Sequence, residues 1–279
     1  MIQPIYPCMW FDNQAKAAAE FYCSIFEESQ IAQDNGIVTT FNLAGQKFMA
    51  LNGGPMYQPN SAISFFVTCE SENEVKLLWD KLSDGGEVLM PLDKYHWSDY
   101  YGWCADKFGY SWQIYKGKMS EVNQKIVPML MFTQQQYGRA EEAVNFYTEL
   151  FEPSEIQGIL KYGDDTPQAE GKVVHAQFVL NQGVFMAMDG YGSQEAVFSM
   201  AQSFVVECDT QEEIDKYWNA FTKEGRESRC GWCQDKFGVS WQIVPRILGE
   251  LMSDSNKAQK VAAAFMQMNK LDIATLLET

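Results

Sequence analysis

The chain carries two histidines, His96 and His175. An imidazole titrates near neutral pH and can serve as acid, base or metal ligand, so each is a candidate for chemistry. His96 lies among Tyr95, Trp97, Asp99, Tyr100 and Tyr101. That aromatic stretch either packs on its own domain or closes over a pocket as a lid, with His96 and Asp99 as its polar groups. His175 opens the apolar strand HAQFVL, where a lone histidine reads first as a hydrogen-bonded or edge residue and second as a ligand or base. Cys230 and Cys233 form a C-x-x-C pair, the spacing of a redox couple or half a zinc site. The same place earlier in the chain reads Tyr101-Gly102-Trp103-Cys104, and no second C-x-x-C exists, so neither role is expected.

Trp112-Gln113 and Trp241-Gln242 occur in matching contexts. Side chains alternate across a strand, so within each pair one residue faces the core and the other a pocket. The tryptophans are assigned to the core. Gln113 and Gln242 become pocket candidates, because a polar side chain on an inner strand needs a partner.

These pairs belong to an internal repeat. GWCADKFGYSWQI at 102–114 and GWCQDKFGVSWQI at 231–243 agree at 11 of 13 positions. FYCSIFEESQI at 21–31 matches FYTELFEPSEI at 146–156 at six of eleven. Such order and spacing indicate a duplicated domain of about 120 residues rather than a solenoid. The second copy gains residues before Phe185, and the first has ten extra between Gly86 and Gly102. Length changes of this kind mark surface loops. Asp106 and Asp235, with Lys107 and Lys236, are expected to shape the turn before Phe-Gly.

The elements follow from local patterns. Ile5 to Phe11 reads as a strand, and 14–26 as a helix with Ala18, Phe21, Tyr22 and Ile25 on one face. Val38–Leu43 and Lys47–Leu51 read as a hairpin around Ala44-Gly45. Ser71 and Glu74 form a capping box for a helix to Leu82, stopped by Asp84-Gly85-Gly86. Short strands follow near Glu87–Met90, Trp103–Asp106 and Ser111–Tyr115. Each copy therefore holds two β-α-β-β-β units. In the tail, Asp254 or Ser255 caps a helix carrying Val261, Phe265 and Met268, and Asp272 caps a last turn from Ile273 to Leu277. That helix is expected to pack on its own domain.

Composition narrows the function classes. At 279 residues the chain is long enough for about two domains. It is 46% hydrophobic and carries a net charge of −16, which suits a packed core and disfavours nucleic acid or an anionic membrane as partner. The N-terminus, Met1-Ile2-Gln3-Pro4-Ile5, does not read as a signal peptide. No apolar run of about 18 residues is present. Seven cysteines without a secretion signal read as reduced thiols in a cytoplasm. The glycine pairs Asn52-Gly53-Gly54-Pro55 and Asp84-Gly85-Gly86 sit at hairpin or helix-stop positions, and neither opens a helix as a nucleotide-type cofactor turn would.

Several segments resemble the glyoxalase/bleomycin-resistance/extradiol-dioxygenase superfamily, also called vicinal oxygen chelate, in its PhnB-like branch. They are PCMWFDNQAKAAAEFYCSIF (7–26), FNLAGQKFMALNGGP (41–55), MPLDKYHWSDYYGWCADKFGYSWQI (90–114), CGWCQDKFGVSWQIVP (230–245) and the tail segment KAQKVAAAFMQMNKLDIATL (257–276). The resemblance covers nearly the whole chain. It implies an α+β fold of two tandem glyoxalase-like domains, 1–120 and 121–247, each of paired β-α-β-β-β modules whose curved sheet encloses a pocket. A helical tail spans 248–279.

The branch often carries a demethylubiquinone methyltransferase label, which the glycine pattern does not support. The superfamily also implies a divalent metal held by His and Glu on the first strand of a module, the opening strand of the next and the last strand. Those positions hold Cys8 and Met9 or Met129 and Leu130, then Ser64 or Ser203, then Gln113 or Gln242. A neutral Gln oxygen replaces a carboxylate poorly, so no metal and no cofactor are expected.

The expected function is binding of an unknown small molecule without a metal. The site candidates are Gln113, Gln242, His96, Trp97, Asp99, Tyr100 and His175. One alternative is a metal-dependent lyase, isomerase or dioxygenase with an atypical site; another is an interaction scaffold with degenerate pockets. The expected assembly is a monomer with pseudo-dimeric halves or a homodimer.

Overall fold

The computed structural model describes residues 4–164, 166–191, 196–254 and 257–279. Four β-α-β-β-β modules follow one another. The first is β1 (Tyr6–Phe11), α1 (Ala15–Ile25), β2 (Gln30–Asp34), β3 (Val38–Leu43) and β4 (Gln46–Asn52). The second is β5 (Ile63–Cys69), α2 (Glu72–Leu82), β6 (Glu87–Tyr95), β7 (Ser98–Ala105) and β8 (Ser111–Lys116). A short α3 (Met119–Val122) leads to β9 (Ile126–Phe132), α4 (Ala140–Leu150), β10 (Ser154–Lys161), β11 (Val173–Leu180) and β12 (Gly183–Asp189). The fourth is β13 (Gln202–Cys208), α5 (Gln211–Thr222), β14 (Arg226–Glu227), β15 (Trp232–Gln234) and β16 (Ser240–Pro245). The tail adds α6 (Ile247–Ser253), α7 (Ala258–Phe265) and α8 (Ile273–Leu277). The architecture is α+β.

Local chemistry sets the element ends. Ala44 and Gly45, at φ 48° and 77°, form the tight turn between β3 and β4. Ser71 Oγ accepts from the Glu74 N–H at 3.2 Å, and Thr210 Oγ1 accepts from the Glu213 N–H at 3.3 Å, so α2 and α5 start on the same cap. The ten extra residues between Gly86 and Gly102, expected as a loop, instead lengthen the β6–β7 hairpin, with His96 and Trp97 at its turn. Their aromatic residues suit a pleated surface and pair across it.

The chain divides into two compact units, residues 7–202 and residues 1–6 with 203–279. The larger unit holds an eight-stranded sheet in the order β10-β11-β12-β9-β5-β8-β7-β6. Its centre is the antiparallel pairing of β5 with β9, in which Ser64 faces Met129. The sheet thus joins the second module of the first copy to the first module of the second. The same unit contains β1, β4, β3 and β2, with β1 parallel to β4. The helix-side core joins Tyr22 of α1, Phe41 and Phe48 of β3 and β4, Phe65 of β5, and Trp112 of β8. In the smaller unit β13 runs parallel to β16, which pairs with β15.

The tail packs within the smaller unit. Leu251, Val261, Leu271 and Leu276 form a cluster against Val244 of β16. The N–H groups of Cys230 and Gly231 donate to the carbonyls of Met268 and Asn269 at 2.7 and 2.8 Å. Asp272 caps α8, accepting from the Thr275 N–H at 2.7 Å. α7 begins at Ala258 after Lys257 and ends at Phe265, before Met268. Ser255, the alternative cap, lies outside the described residues.

A buried carboxylate holds the repeated motif in each unit. Asp106, 3% exposed, accepts from the Phe108 and Tyr110 N–H groups at Oδ1, at 2.8 and 3.1 Å. Its Oδ2 accepts from Trp112 Nε1 at 2.8 Å and from the Tyr22 hydroxyl at 2.7 Å. Asp235 repeats this with Phe237, Val239 and Trp241 at 2.9, 3.1 and 2.9 Å. Gly109 and Gly238, at φ 86° and 89°, complete the two turns. Asp106→Ala would strand two side-chain and two backbone donors in the core. A loss of about 3–5 kcal/mol is expected, read as a lower urea midpoint at unchanged slope. A loss under about 1 kcal/mol would show that the turn holds without the carboxylate.

Candidate functional site

The eight-stranded sheet of the larger unit has two unlike faces. One packs on helices through Phe65, Val67, Trp112 and Ile114. In-register pairing puts Ser64, Met129 and Ser111 on the other face, together with Phe66, Gln113, Trp103, Tyr115 and Tyr101. Gln177 and Met186 continue it across β11 and β12. Trp112 and Gln113 therefore separate as strand alternation requires, the tryptophan to the helices and the glutamine to the second face.

Gln113 is 6% exposed and its amide is satisfied internally. Its Nε2 donates to Ser64 Oγ at 2.7 Å and its Oε1 accepts from the Tyr101 hydroxyl at 2.7 Å. Trp103 Nε1 donates to Ser111 Oγ at 2.7 Å. Burial pushes the Tyr101 phenol well above its ordinary value, so it stays a donor at neutral pH. In the smaller unit Gln242 Nε2 makes the corresponding bond to Ser203 Oγ at 3.0 Å.

Around this polar line the face is filled by soft and aromatic side chains. Met131 packs with Tyr101 and Trp103, flanked by Phe66, Met90, Tyr95, Tyr115 and Met188. Met129 and Met186 pack with Val122, Val127 and Val184. Open space lies at the β10–β11 end, where Gln157, Gly158, Ile159, Leu160, His175 and Gln177 line a groove of about 340 Å³. Gln177 Nε2 donates to Gln157 Oε1 at 2.8 Å, and Leu160 is 62% exposed.

A run of rings links that groove to the hairpin. Trp97 stacks on Tyr95 with centroids 5.3 Å apart and meets Tyr101 edge-on at 4.5 Å. Tyr101 lies 6.4 Å from Phe66, and Phe66 lies 6.3 Å from His175. The structure therefore brings Trp97, Gln113 and His175 to one face. His96 is exposed at the hairpin turn, 6.4 Å from Trp97 between ring centres. Asp99 is exposed and pairs with Lys94 at 3.3 Å. Tyr100, named as a pocket residue, packs on the helix-side core instead, because its parity is opposite to that of Tyr101. The same parity rule, applied to Gly102-Trp103-Cys104, would have put Tyr101 on the pocket face. Phe66 carried no comparable signal.

The fold family's divalent metal does not fit this donor set. The face offers hydroxyl, amide and thioether groups around one imidazole, His175, and thioethers are poor ligands for hard divalent ions. Among the described residues no group of three or more His, Cys, Asp or Glu gathers. At the C-x-x-C pair, burial pushes the thiols of Cys230 and Cys233 up, which disfavours the reactive thiolate. The glycine pairs serve packing. A Cβ on Gly53 would stand 2.2 Å from the Trp10 ring, and one on Gly86 2.0 Å from the Ala105 carbonyl.

The profile of the family described as 3-demethylubiquinone-9 3-methyltransferase matches residues 3–115 and again 124–244. The chain belongs to that family, as a tandem duplication of its domain. The PhnB protein from Bacillus cereus is 36% identical over 41% of this chain and all of its own, with a TM-score of 0.39. Glyoxalase I from Zea mays is 13% identical over 90% of this chain and 95% of its own, with a TM-score of 0.58, which shows a shared fold. A glyoxalase-related enzyme from Fulvimarina pelagi is 17% identical over 42% of this chain and 89% of its own, with a TM-score of 0.34. No curated protein sequence matches the chain. Among the described residues no helix is long and apolar enough to cross a membrane.

Burial pushes the His175 imidazole below its ordinary value of 6.5. The unfolded chain therefore takes up a proton at a higher pH than the fold does, and stability falls as pH drops from about 6.5 toward the depressed value, then levels. His175→Gln is expected to remove that part of the slope in urea titrations run at stepped pH. An unchanged slope would place the proton uptake on another group.

Proposed function

We infer that this protein binds an uncharged small molecule, without a metal, at the His175 end of the larger unit's sheet. The observation that carries this reading is the groove of about 340 Å³, within the range of small-ligand sites, lined by neutral polar groups. The amides of Gln157 and Gln177 and an imidazole that burial keeps neutral can donate and accept hydrogen bonds without demanding a counter-charge. Leu160 and the half-buried Phe66 ring supply apolar surface at either side. The expected ligand is flat and apolar with one or two hydroxyl or carbonyl groups. The family's fold supports this reading, since its curved sheets enclose small molecules. A cytoplasmic monomer, with its duplicated halves replacing a dimer, is the setting we propose.

The packed half of the face limits where a ligand can sit. Tyr101, Trp103 and Met131 are 3%, 8% and 3% exposed, so the Gln113 end is closed by the protein's own side chains. Gently purified protein examined by native mass spectrometry, followed by a thermal-shift panel of uncharged aromatic metabolites, tests the reading. At least one ligand should raise the melting temperature, and His175→Ala should weaken it about tenfold, or about 1.4 kcal/mol. No bound molecule and no shift across the panel would sink the proposal in favour of an interaction scaffold.

A further inference from the structure

The helix side of the same sheet carries a cluster that the groove does not use. Asp189 ends β12 and is 1% exposed. Its Oδ1 accepts from the N–H groups of Gly138 and Ala140 at 2.8 and 3.2 Å, and its Oδ2 from that of Val173 at 2.8 Å. All three bonds are donated by backbone N–H groups. Tyr137 directly precedes Gly138, the Tyr162 N–H donates to the carbonyl of Lys172, next to Val173, at 2.9 Å, and Tyr191 follows Asp189 by two residues. The rings of Tyr162 and Tyr191 are 6.2 Å apart at 58°. Burial first, and then the Asp189 carboxylate, pushes the phenols of Tyr137 and Tyr162 up, and Tyr191 acts on both. The hydroxyl of Tyr137 is buried and finds no hydrogen-bond partner among the described residues.

A cation already stands beside one of these rings. The Lys172 ammonium lies 5.9 Å from the centre of the Tyr137 ring. Gly138 gives it room, since a Cβ there would be 2.5 Å from Lys172 Nζ. The repeat supplies an internal control. In the first copy Asn52 ends β4, bonding the Ala15 N–H at 2.9 Å where Asp189 bonds Ala140. Only two residues, Asp12 and Asn13, separate Phe11 from Gln14 there, whereas the second copy runs from Phe132 to Arg139 through Tyr137. Tyr137 thus belongs to length that the first copy lacks, and Asp189 stands where the first copy has a neutral amide.

We propose that Tyr137, Tyr162 and Tyr191 above Asp189 form an aromatic box for a quaternary ammonium ligand, with Lys172 at its mouth. A quaternary ammonium has no N–H to satisfy, is attracted to ring faces and to a buried negative charge, and loses little on leaving water. This site does not rest on the His175 groove.

Tetramethylammonium chloride and choline chloride are the probes, titrated calorimetrically and by thermal shift against sodium chloride at equal ionic strength. Both probes should raise the melting temperature above the sodium control. Lys172→Ala should bind them more tightly, by threefold or more. Tyr162→Leu and Tyr191→Leu should each lose binding by about tenfold; Tyr191, 45% exposed, keeps the test open if Tyr162→Leu fails to fold. His175→Ala should leave binding unchanged. Equal shifts with sodium in both wild type and Lys172→Ala would overturn the proposal. So would equal affinity for 3,3-dimethylbutanol, the neutral isostere of choline, since that marks an apolar cleft only.

Discussion

A carboxylate buried in a turn is the constraint on which each repeat depends. Removing Asp106 from water is costly, and burial alone pushes its carboxyl up. Four donors converge on it, from Phe108, Tyr110, Trp112 and Tyr22, and offset that cost. The result fixes more than a turn. Trp112 is drawn to the helix side by its Nε1, so Gln113 is committed to the opposite face. Tyr22 brings α1 to the same point. The helix–sheet packing and the polarity of the candidate site therefore share one origin.

This explains why 11 of 13 residues survive in both copies. Within DKFGxSWQ, the aspartate accepts, the glycine turns at positive φ, and the tryptophan donates back to the aspartate. The serine and glutamine tie β8 or β16 to its neighbours: Ser111 receives Trp103 Nε1, while Gln113 and Gln242 reach Ser64 and Ser203. The invariant aspartate, glycine, serine, tryptophan and glutamine each have a side-chain hydrogen bond or a backbone conformation that replacement would lose, while Cys104 and Ile114 are buried in the core. The one variable position inside that block, Tyr110 against Val239, contributes its backbone N–H to the clamp, and a backbone group is indifferent to the side chain.

Much of this was legible in the sequence because strands alternate and caps are local. The four modules, the Ala44-Gly45 hairpin, the α2 cap and the division of Trp112 from Gln113 all follow from spacing. What was not legible depended on long-range pairing. Nothing in the residues of β5 and β9 announces that Ser64 meets Met129 across two copies, so the packed methionine face could not be foreseen. The added residues before Gly102 were expected as a loop because a length change usually marks one. Pairing of Asp93 with Tyr101 and of Tyr95 with Ser98 turned them into hairpin. Tyr100 is a different case: strand alternation counted back from Trp103 puts Tyr101 on the pocket face and Tyr100 on the helix side, where it packs.

Ser64, Gln113 and Met129 stand where the resemblance implies metal ligands, and they set what the face can recognise. A divalent ion binds charged or chelating oxygen ligands through its own charge, independently of the protein's net charge. On the metal-free reading proposed above, recognition rests on hydrogen bonds and contact area, inside a chain of net charge −16. That field raises the free energy of an anion anywhere on the protein and lowers that of a cation. Neutral amides and a neutral imidazole add nothing to reverse it at the groove, which leaves uncharged ligands favoured there. At Asp189 the local carboxylate acts with the field rather than against it. The acidic balance thus suits both proposed ligands, a neutral one at the groove and a cation beside Asp189.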